Sequence, residues 1–190
     1  QSMPISIHSL TGIGEGARRF PDRPTRSVDR VGLDRYRGSG QLDVTNALFD
    51  IIFSGVLHRF PELKLVLVEN EIGWIPFTLQ QWDYYVNRNS STKPDSPRPL
   101  SIRMLPSEYF DRQMSATFFN DPVGGKLLES WGQDNCMWST DYPHANSSWP
   151  HSRELAEANL GHLSQETITK LVTGNVAKLY DLELPEPLGV

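Results

Sequence analysis

Leu63-Lys64-Leu65-Val66-Leu67-Val68-Glu69-Asn70-Glu71 is the stretch that decides how this sequence folds. The second strand is read from Leu63 to Val68, and within it Leu65 to Val68 is an unbroken apolar run with no polar alternation. That is the pattern of a strand buried on both faces, the usual condition of a strand inside a parallel sheet. The run stops on an acid, an amide and an acid. In parallel α/β folds the groups that do chemistry gather at the C-terminal ends of strands. Glu69, Asn70 and Glu71 are therefore marked by position as well as by chemistry.

Outward from this strand the chain repeats the same design. Upstream, Asp43 reads as an N-cap. Val44, Ala47, Leu48, Ile51, Ile52 and Val56 then recur at helical spacing until Pro61 closes the helix. A short β-like run, Pro4 to His8, precedes it, separated by a Gly-, Pro- and Arg-rich segment from Ser9 to Gln41 that reads as an extended loop. Downstream, Trp74, Phe77, Leu79, Trp82 and Tyr85 mark a helix, and the polar, proline-rich Asn89 to Pro99 reads as a loop or mobile lid. A third strand runs from about Gln113 to Phe118. Asp121-Pro122 then gives an N-cap followed by proline at the first helical position, on a helix carrying Val123, Leu127 and Leu128. A fourth strand, Asn135 to Ser139, ends in Thr140-Asp141-Tyr142-Pro143-His144. Helices are expected near Ser152 to Leu160 and from about Ser164 to Leu182, the last with Ile168, Leu171, Val172, Val176, Leu179 and Tyr180 on one stripe.

Strands alternating with helices argue for an α/β fold built on a parallel sheet. The four units predict four strands adjacent in chain order with helices on one face. Four such units make half of an eight-stranded barrel. The chain opens almost directly in a strand, which suggests that something precedes it.

Composition bounds the partners. The 190 residues suffice for one sizeable core, and 38% hydrophobic with 22% charged residues fits a globular chain. The net charge of −5 comes without a basic block, so nucleic acid is not expected as a partner. No apolar run approaches the roughly 18 residues of a membrane span, and no signal-peptide pattern opens the chain. Cys136 is the one cysteine and excludes an internal disulfide. Its setting, Cys136-Met137-Trp138, reads as a buried and inert thiol. A cytoplasmic location is the default expectation.

The side chains with metal-ligand or acid/base chemistry fall on one rim of the expected sheet. His8 ends the first strand, Glu69 and Glu71 the second, Asp141 and His144 the fourth. Asp141 is either a ligand at a barrel mouth or a turn aspartate capping the Tyr142-Pro143 bend. His8 is either an N-donor ligand or a satisfied histidine at a strand end. Glu69 suits a general base, and Glu71 suits a helix N-terminus without any catalysis. His144 either orients Asp141 or the substrate, or is a solvated turn residue. Trp149 either lines a pocket or packs. Arg18, Arg19, Arg23, Arg26, Arg30, Arg35 and Arg37 either hold a substrate carboxylate or decorate a solvated loop. His58, His151 and His162 receive no chemical role.

Three stretches also resemble a known family. Gly55-Val56-Leu57-His58-Arg59-Phe60-Pro61-Glu62-Leu63-Lys64-Leu65 resembles a helix-to-strand joint of the amidohydrolase-related family, which includes aminocarboxymuconate-semialdehyde decarboxylase-like enzymes. Met137-Trp138-Ser139-Thr140-Asp141-Tyr142-Pro143-His144 resembles its final barrel strand, and Thr173-Gly174-Asn175-Val176-Ala177-Lys178-Leu179-Tyr180 its C-terminal helix. The resemblance spans nearly the whole chain, so residues 1–190 are expected to be the C-terminal half of one (β/α)8 TIM barrel domain, strands five to eight.

The resemblance implies one divalent metal, usually zinc, with His8 and Asp141 among its ligands. The family's His-x-His pair is not in this sequence, and Glu69 stands where the decarboxylases have a catalytic histidine. Glu69-Asn70-Glu71-Ile72-Gly73-Trp74 resembles a branch with Glu-Asn-x-x-Gly-Trp at that place. The expected activity is metal-dependent hydrolysis of a small organic acid or amide by a metal-activated water. Asp141 would be ligand and proton acceptor, Glu69 general acid/base, and His144 and Trp149 substrate contacts. The alternatives are non-oxidative decarboxylation and a non-catalytic barrel fragment. Without the His-x-His strand, this stretch alone is expected to bind metal weakly and turn nothing over. Unpaired sheet edges make a homo-oligomer an expected partner beside the small-molecule substrate.

Overall fold

A computed structural model describes residues 3–8, 39–92 and 101–184. The described elements, in chain order, are β1 (Ile5–His8), α1 (Ser39–Phe53), α2 (Val56–Arg59), β2 (Leu65–Val68), α3 (Ile75–Thr92), α4 (Pro106–Gln113), β3 (Met114–Phe118), α5 (Pro122–Leu127), β4 (Cys136–Trp138), α6 (Ser152–Leu160), α7 (Gln165–Thr169) and α8 (Asn175–Tyr180). The four strands form one sheet in the order β1-β2-β3-β4, and every neighbouring pair is parallel. The expected α/β architecture and strand order are therefore present. The arginine-rich segment lies outside the described residues, as does the proline-rich part of the expected lid.

Strand alternation divides the sheet into two unlike faces. Leu65, Leu67, Met114, Ala116, Phe118 and Cys136 join the main core with Leu48, Ile52, Leu57, Ile75, Leu79, Tyr109, Phe110, Leu128, Leu160 and Leu171 from the helical segments. Ser6, His8, Val66, Val68, Ser115, Thr117 and Met137 occupy the alternate positions. This second face is more polar, and it is the one that would line a barrel interior.

The N-terminal ends of the strands are stitched by amide side chains. Gln113, 1% exposed, donates from Nε2 to the carbonyls of Phe60 (2.9 Å) and Leu63 (3.1 Å). Asn135 donates from Nδ2 to the carbonyls of Phe110, Asp111 and Met114 at 2.9–3.2 Å. These contacts satisfy backbone carbonyls that would otherwise be stranded between elements.

Several expectations about helices need correction. The helix expected to start at Asp43 begins at Ser39, and it does not run on to Pro61. Gly55 adopts φ 75° and breaks it, and a Cβ there would sit 2.5 Å from the Ser101 carbonyl oxygen. Asn89 to Thr92 belong to α3, not to a loop. Val123 is exposed and Leu128 carries the packing of its segment. The expected continuous C-terminal helix contains a π-helical turn, Lys170–Gly174. That wider turn rotates the apolar stripe, leaving Val172 and Tyr180 exposed while Leu171 and Ala177 are buried. The turn also aims Asn175 at the sheet, where Nδ2 donates to the carbonyls of Gln133 (2.8 Å) and Cys136 (2.7 Å).

α4 had no counterpart in the sequence reading. Its signals are Pro106 at the first position and Glu108 three residues after the cap, whose Oε2 accepts from the Leu105 N–H at 2.7 Å.

Candidate metal and proton-transfer centre

The strand ends converge. His8 Nε2 lies 3.0 Å from Glu69 Oε1. The same Glu69 oxygen is 3.8 Å from His144 Nδ1, which in turn is 2.7 Å from Asp141 Oδ1. Four side chains from β1, the loop after β2 and the segment after β4 thus form one chain of contacts, although His8 and His144 are far apart in sequence. The Asp141 side chain is 6% exposed and Glu69 25%, whereas His8 and His144 are 42% and 63% exposed. The carboxylates sit inward and the imidazoles face outward.

The backbone is bent to achieve this. Glu69, Glu71 and Asp141 all adopt left-handed conformations, with φ of 58°, 50° and 57°. Non-glycine residues there are strained, and such strain concentrates at functional sites. The loop after β2 is pinned from several sides. The Glu69 N–H donates to Thr117 Oγ1 at 3.1 Å. The Glu71 carboxylate accepts from the N–H groups of Phe119 (3.2 Å) and Asn120 (3.3 Å). Burial raises the pKa of the Glu71 carboxyl, those two hydrogen bonds oppose it, and nearby Asp121 adds to it.

Asp121 was expected only as a helix cap, and it is one: Oδ1 accepts from the Gly124 N–H at 2.7 Å. It also ties α5 to the loop after β2, because Oδ2 accepts from the N–H groups of Ile72 (2.8 Å) and Gly73 (2.6 Å). The signal for this second role is the pair of glycines around it. A Cβ on Gly73 would lie 3.1 Å from Asp121 Oδ1, and one on Gly124 would lie 2.6 Å from Oδ2.

The segment after β4 is closed on itself. The Thr140 carbonyl accepts from Ser147 Oγ (2.9 Å), the Ser148 N–H (3.0 Å) and Ser148 Oγ (3.4 Å). Trp149 lies on this loop, 66% exposed, and packs edge-on against Tyr142 with ring centroids 6.1 Å apart. Tyr142 was not singled out by the sequence reading; its place beside Asp141 was the available signal. Cys136 is fully buried, as expected, and burial pushes its thiol pKa far up.

The donor set suits a divalent ion. One ligand atom each from Glu69, Asp141 and His144 lie within 4.8 Å of one another, and mixed carboxylate and imidazole donors fit zinc, manganese and related ions. His8 joins this group through Glu69.

Comparison with known proteins adds the family. A family model described as Amidohydrolase matches residues 4–182. Among solved structures, 5-carboxyvanillate decarboxylase LigW from Sphingomonas paucimobilis is 27% identical with a TM-score of 0.62, over 88% of this chain and 46% of that one. An amidohydrolase from Mycobacterium avium subsp. paratuberculosis is 19% identical with a TM-score of 0.70, over 95% and 42%. A dihydroxybenzoic acid decarboxylase from Polaromonas sp., solved with manganese and 2-nitroresorcinol, is 20% identical with a TM-score of 0.61, over 87% and 50%. The chain thus spans half or less of the length of these relatives. The family match covers all four strands and the acidic rim they carry, and the chain belongs to the amidohydrolase family.

Proposed function

We propose that this chain supplies strands five to eight of a (β/α)8 barrel, and that the whole protein is a metal-dependent carboxy-lyase acting on a small aromatic or unsaturated acid. The observation that carries this is the contact chain His8–Glu69–His144–Asp141 at the strand ends. The 27% identity to a decarboxylase supports lyase chemistry over the hydrolysis expected from the sequence.

A divalent ion, zinc or manganese, held with Asp141 and His8 would supply Lewis acidity toward a substrate oxygen. Glu69 is the proton-transfer group. In its acid form it gives a proton to the substrate carbon as the bond from that carbon to the carboxylate breaks and carbon dioxide leaves with the product one proton richer. Exposed His144 connects Glu69 to solvent for reprotonation. Tyr142 and Trp149 offer flat apolar surface at the same loop, suited to an aromatic ring. His144 and Trp149 remain the proposed substrate contacts.

Hydrolysis is the second reading, favoured by one specific feature: the same Glu69 carboxylate, when ionised, is placed to take a proton from an attacking water. The two are separated by incubating the full-length protein with hydroxybenzoates and small amides in deuterium oxide. Decarboxylation puts one deuteron on the vacated carbon and releases carbon dioxide. Release of an amine or alcohol with no carbon dioxide would overturn the lyase reading.

A further inference from the structure

We propose that the outer face of α3 is the contact between two copies of this protein, packed antiparallel about a two-fold axis. This surface belongs to the helical layer, not to the strand-end rim or to the sheet edges where the sequence suggested pairing. Nothing in it depends on the proposed chemistry.

α3 buries Ile75 and Leu79 in the core. At 3.6 residues per turn, the opposite side is the line Phe77, Tyr84 and Arg88, flanked by Gln80, Tyr85 and Asn87. All six are exposed, Phe77 by 66% and both tyrosines by 55%. A solvated helix face usually carries lysine and acids. Asp83 and Arg88 are the charged residues of the whole helix, and Asp83 Oδ1 accepts from the Ser107 N–H of α4 at 3.0 Å. The exposed face therefore holds aromatic rings, amides and one arginine, with no lysine and no acid. That is the composition of an interface centre.

The patch continues onto a second aromatic group. Tyr84 and Tyr85 meet edge-on with ring centroids 5.4 Å apart. Trp82, on the helical turn before Tyr85, packs against Phe49 (5.5 Å) and Phe53 (5.8 Å) of α1. Phe49 is itself 43% exposed. With about 200 Å2 for a whole aromatic side chain, the exposed parts of Phe49, Phe77, Tyr84 and Tyr85 come to about 400 Å2. Single exposed apolar residues are ordinary, but a joined patch of several hundred Å2 marks an interaction site.

Self-association makes this area sufficient. Two copies bury about 800 Å2 of ring surface, and Gln80, Asn87 and Arg88 on both sides carry the total past the roughly 1,000 Å2 of a specific interface. The spacing also suits a two-fold axis. Phe77 and Tyr84 stand two helical turns apart on one line, with Gln80 and Gln81 midway. An antiparallel arrangement sets Phe77 of each copy against Tyr84 of the other. The glutamines then meet at the axis, where like amides can each donate and accept. A lipid surface fits less well, because a helix lying on one carries a polar face rich in lysine and arginine.

The test uses the full-length protein. Sedimentation at micromolar concentration should show a dimer. Phe77→Glu and Tyr84→Glu should each raise its dissociation constant by about thirtyfold or more, the scale of a hot-spot residue. Both positions are exposed and glutamate is a good helix former, so both variants are expected to fold, which circular dichroism checks. Gln81→Cys gives a positive signal: mild oxidation should join two copies by a disulfide at the axis, and adding Tyr84→Glu should abolish the link. Wild-type protein under the same oxidation is the control, and Cys136 is buried away from this face. A dimer that survives both glutamate substitutions, or no cross-link in Gln81→Cys, would overturn the proposal. A monomeric wild-type protein would overturn it too, and co-flotation of that monomer with phosphatidylcholine vesicles would assign the face to lipid.

Discussion

Replacing Asp121 by alanine should do more damage than any other single change near the rim that spares the proposed ligands. The carboxylate accepts three backbone N–H groups, from Ile72, Gly73 and Gly124, at 2.6–2.8 Å, and the residue is 9% exposed. Hydrogen bonds to a charged acceptor are the strong kind. Each donor left unpaired in a buried place costs about 1–3 kcal/mol, and removing one side of a buried charged network costs about 3–5 kcal/mol in total. With a urea m-value of about 2 kcal/mol/M, a loss of about 4 kcal/mol moves the unfolding midpoint down by about 2 M. Asp121→Asn keeps one oxygen acceptor and should lose roughly half as much. The measurement is a urea titration followed by fluorescence and circular dichroism together. A loss below about 1 kcal/mol for the alanine variant would refute the claim that this carboxylate organises the rim.

Other outcomes follow from the same geometry. In the full-length protein, Asp141→Ala should abolish both metal retention and turnover, while Glu69→Gln should lower turnover by about 100-fold with less than a tenfold change in metal affinity, since glutamine keeps an oxygen donor; elemental analysis and rates check both, and full activity in Asp141→Ala would sink the mechanism. Cys136 should resist alkylation at pH 8 until the protein unfolds, because burial holds its thiol in the protonated form; rapid labelling under native conditions would contradict its position. Asp111 has its pKa raised by burial and by the nearby Asp83 and Glu108 carboxylates. A raised folded-state pKa means the folded chain binds more protons, so this group's contribution to stability falls as pH rises from its ordinary value through the raised one. Asp111→Asn should flatten that dependence and gain stability at neutral pH, and a steeper dependence in pH-resolved melting curves would refute it.

The sheet was legible because its cause is local. Leu65 to Val68 has no polar residue to mark an outer face, and an acid or histidine stands at or within three residues of the end of each of the four strands. Register then brings His8 opposite Val68, one residue from Glu69. The helix ends were less legible because tertiary contacts set them. Gly55 breaks α1 from α2 where the Ser101 carbonyl approaches, and nothing within a helical window reports that neighbour. The π-helical turn at Lys170–Gly174 is equally silent in a periodic pattern. At the site, the sequence placed His8, Glu69, Asp141 and His144 on one rim. It did not distinguish the carboxylates turned inward from the imidazoles facing solvent, nor did it show that Asp121 anchors the loop between them.

Three acids at the rim hold left-handed backbone, a conformation that glycine enters freely. Each costs the fold about 1–3 kcal/mol relative to a relaxed residue, partly offset in a glycine variant by about 0.5–1 kcal/mol of extra chain entropy. Glycine at 69, 71 or 141 should therefore be neutral to stabilising wherever the lost side chain's contacts are worth less than the strain. A library of this protein screened only for heat resistance would drift toward glycine at those positions and discard the chemistry with the strain. Under the proposed function Glu69 and Asp141 carry chemistry that glycine would lose, so durability and activity pull apart at those two positions, while Glu71 holds the loop between the strands.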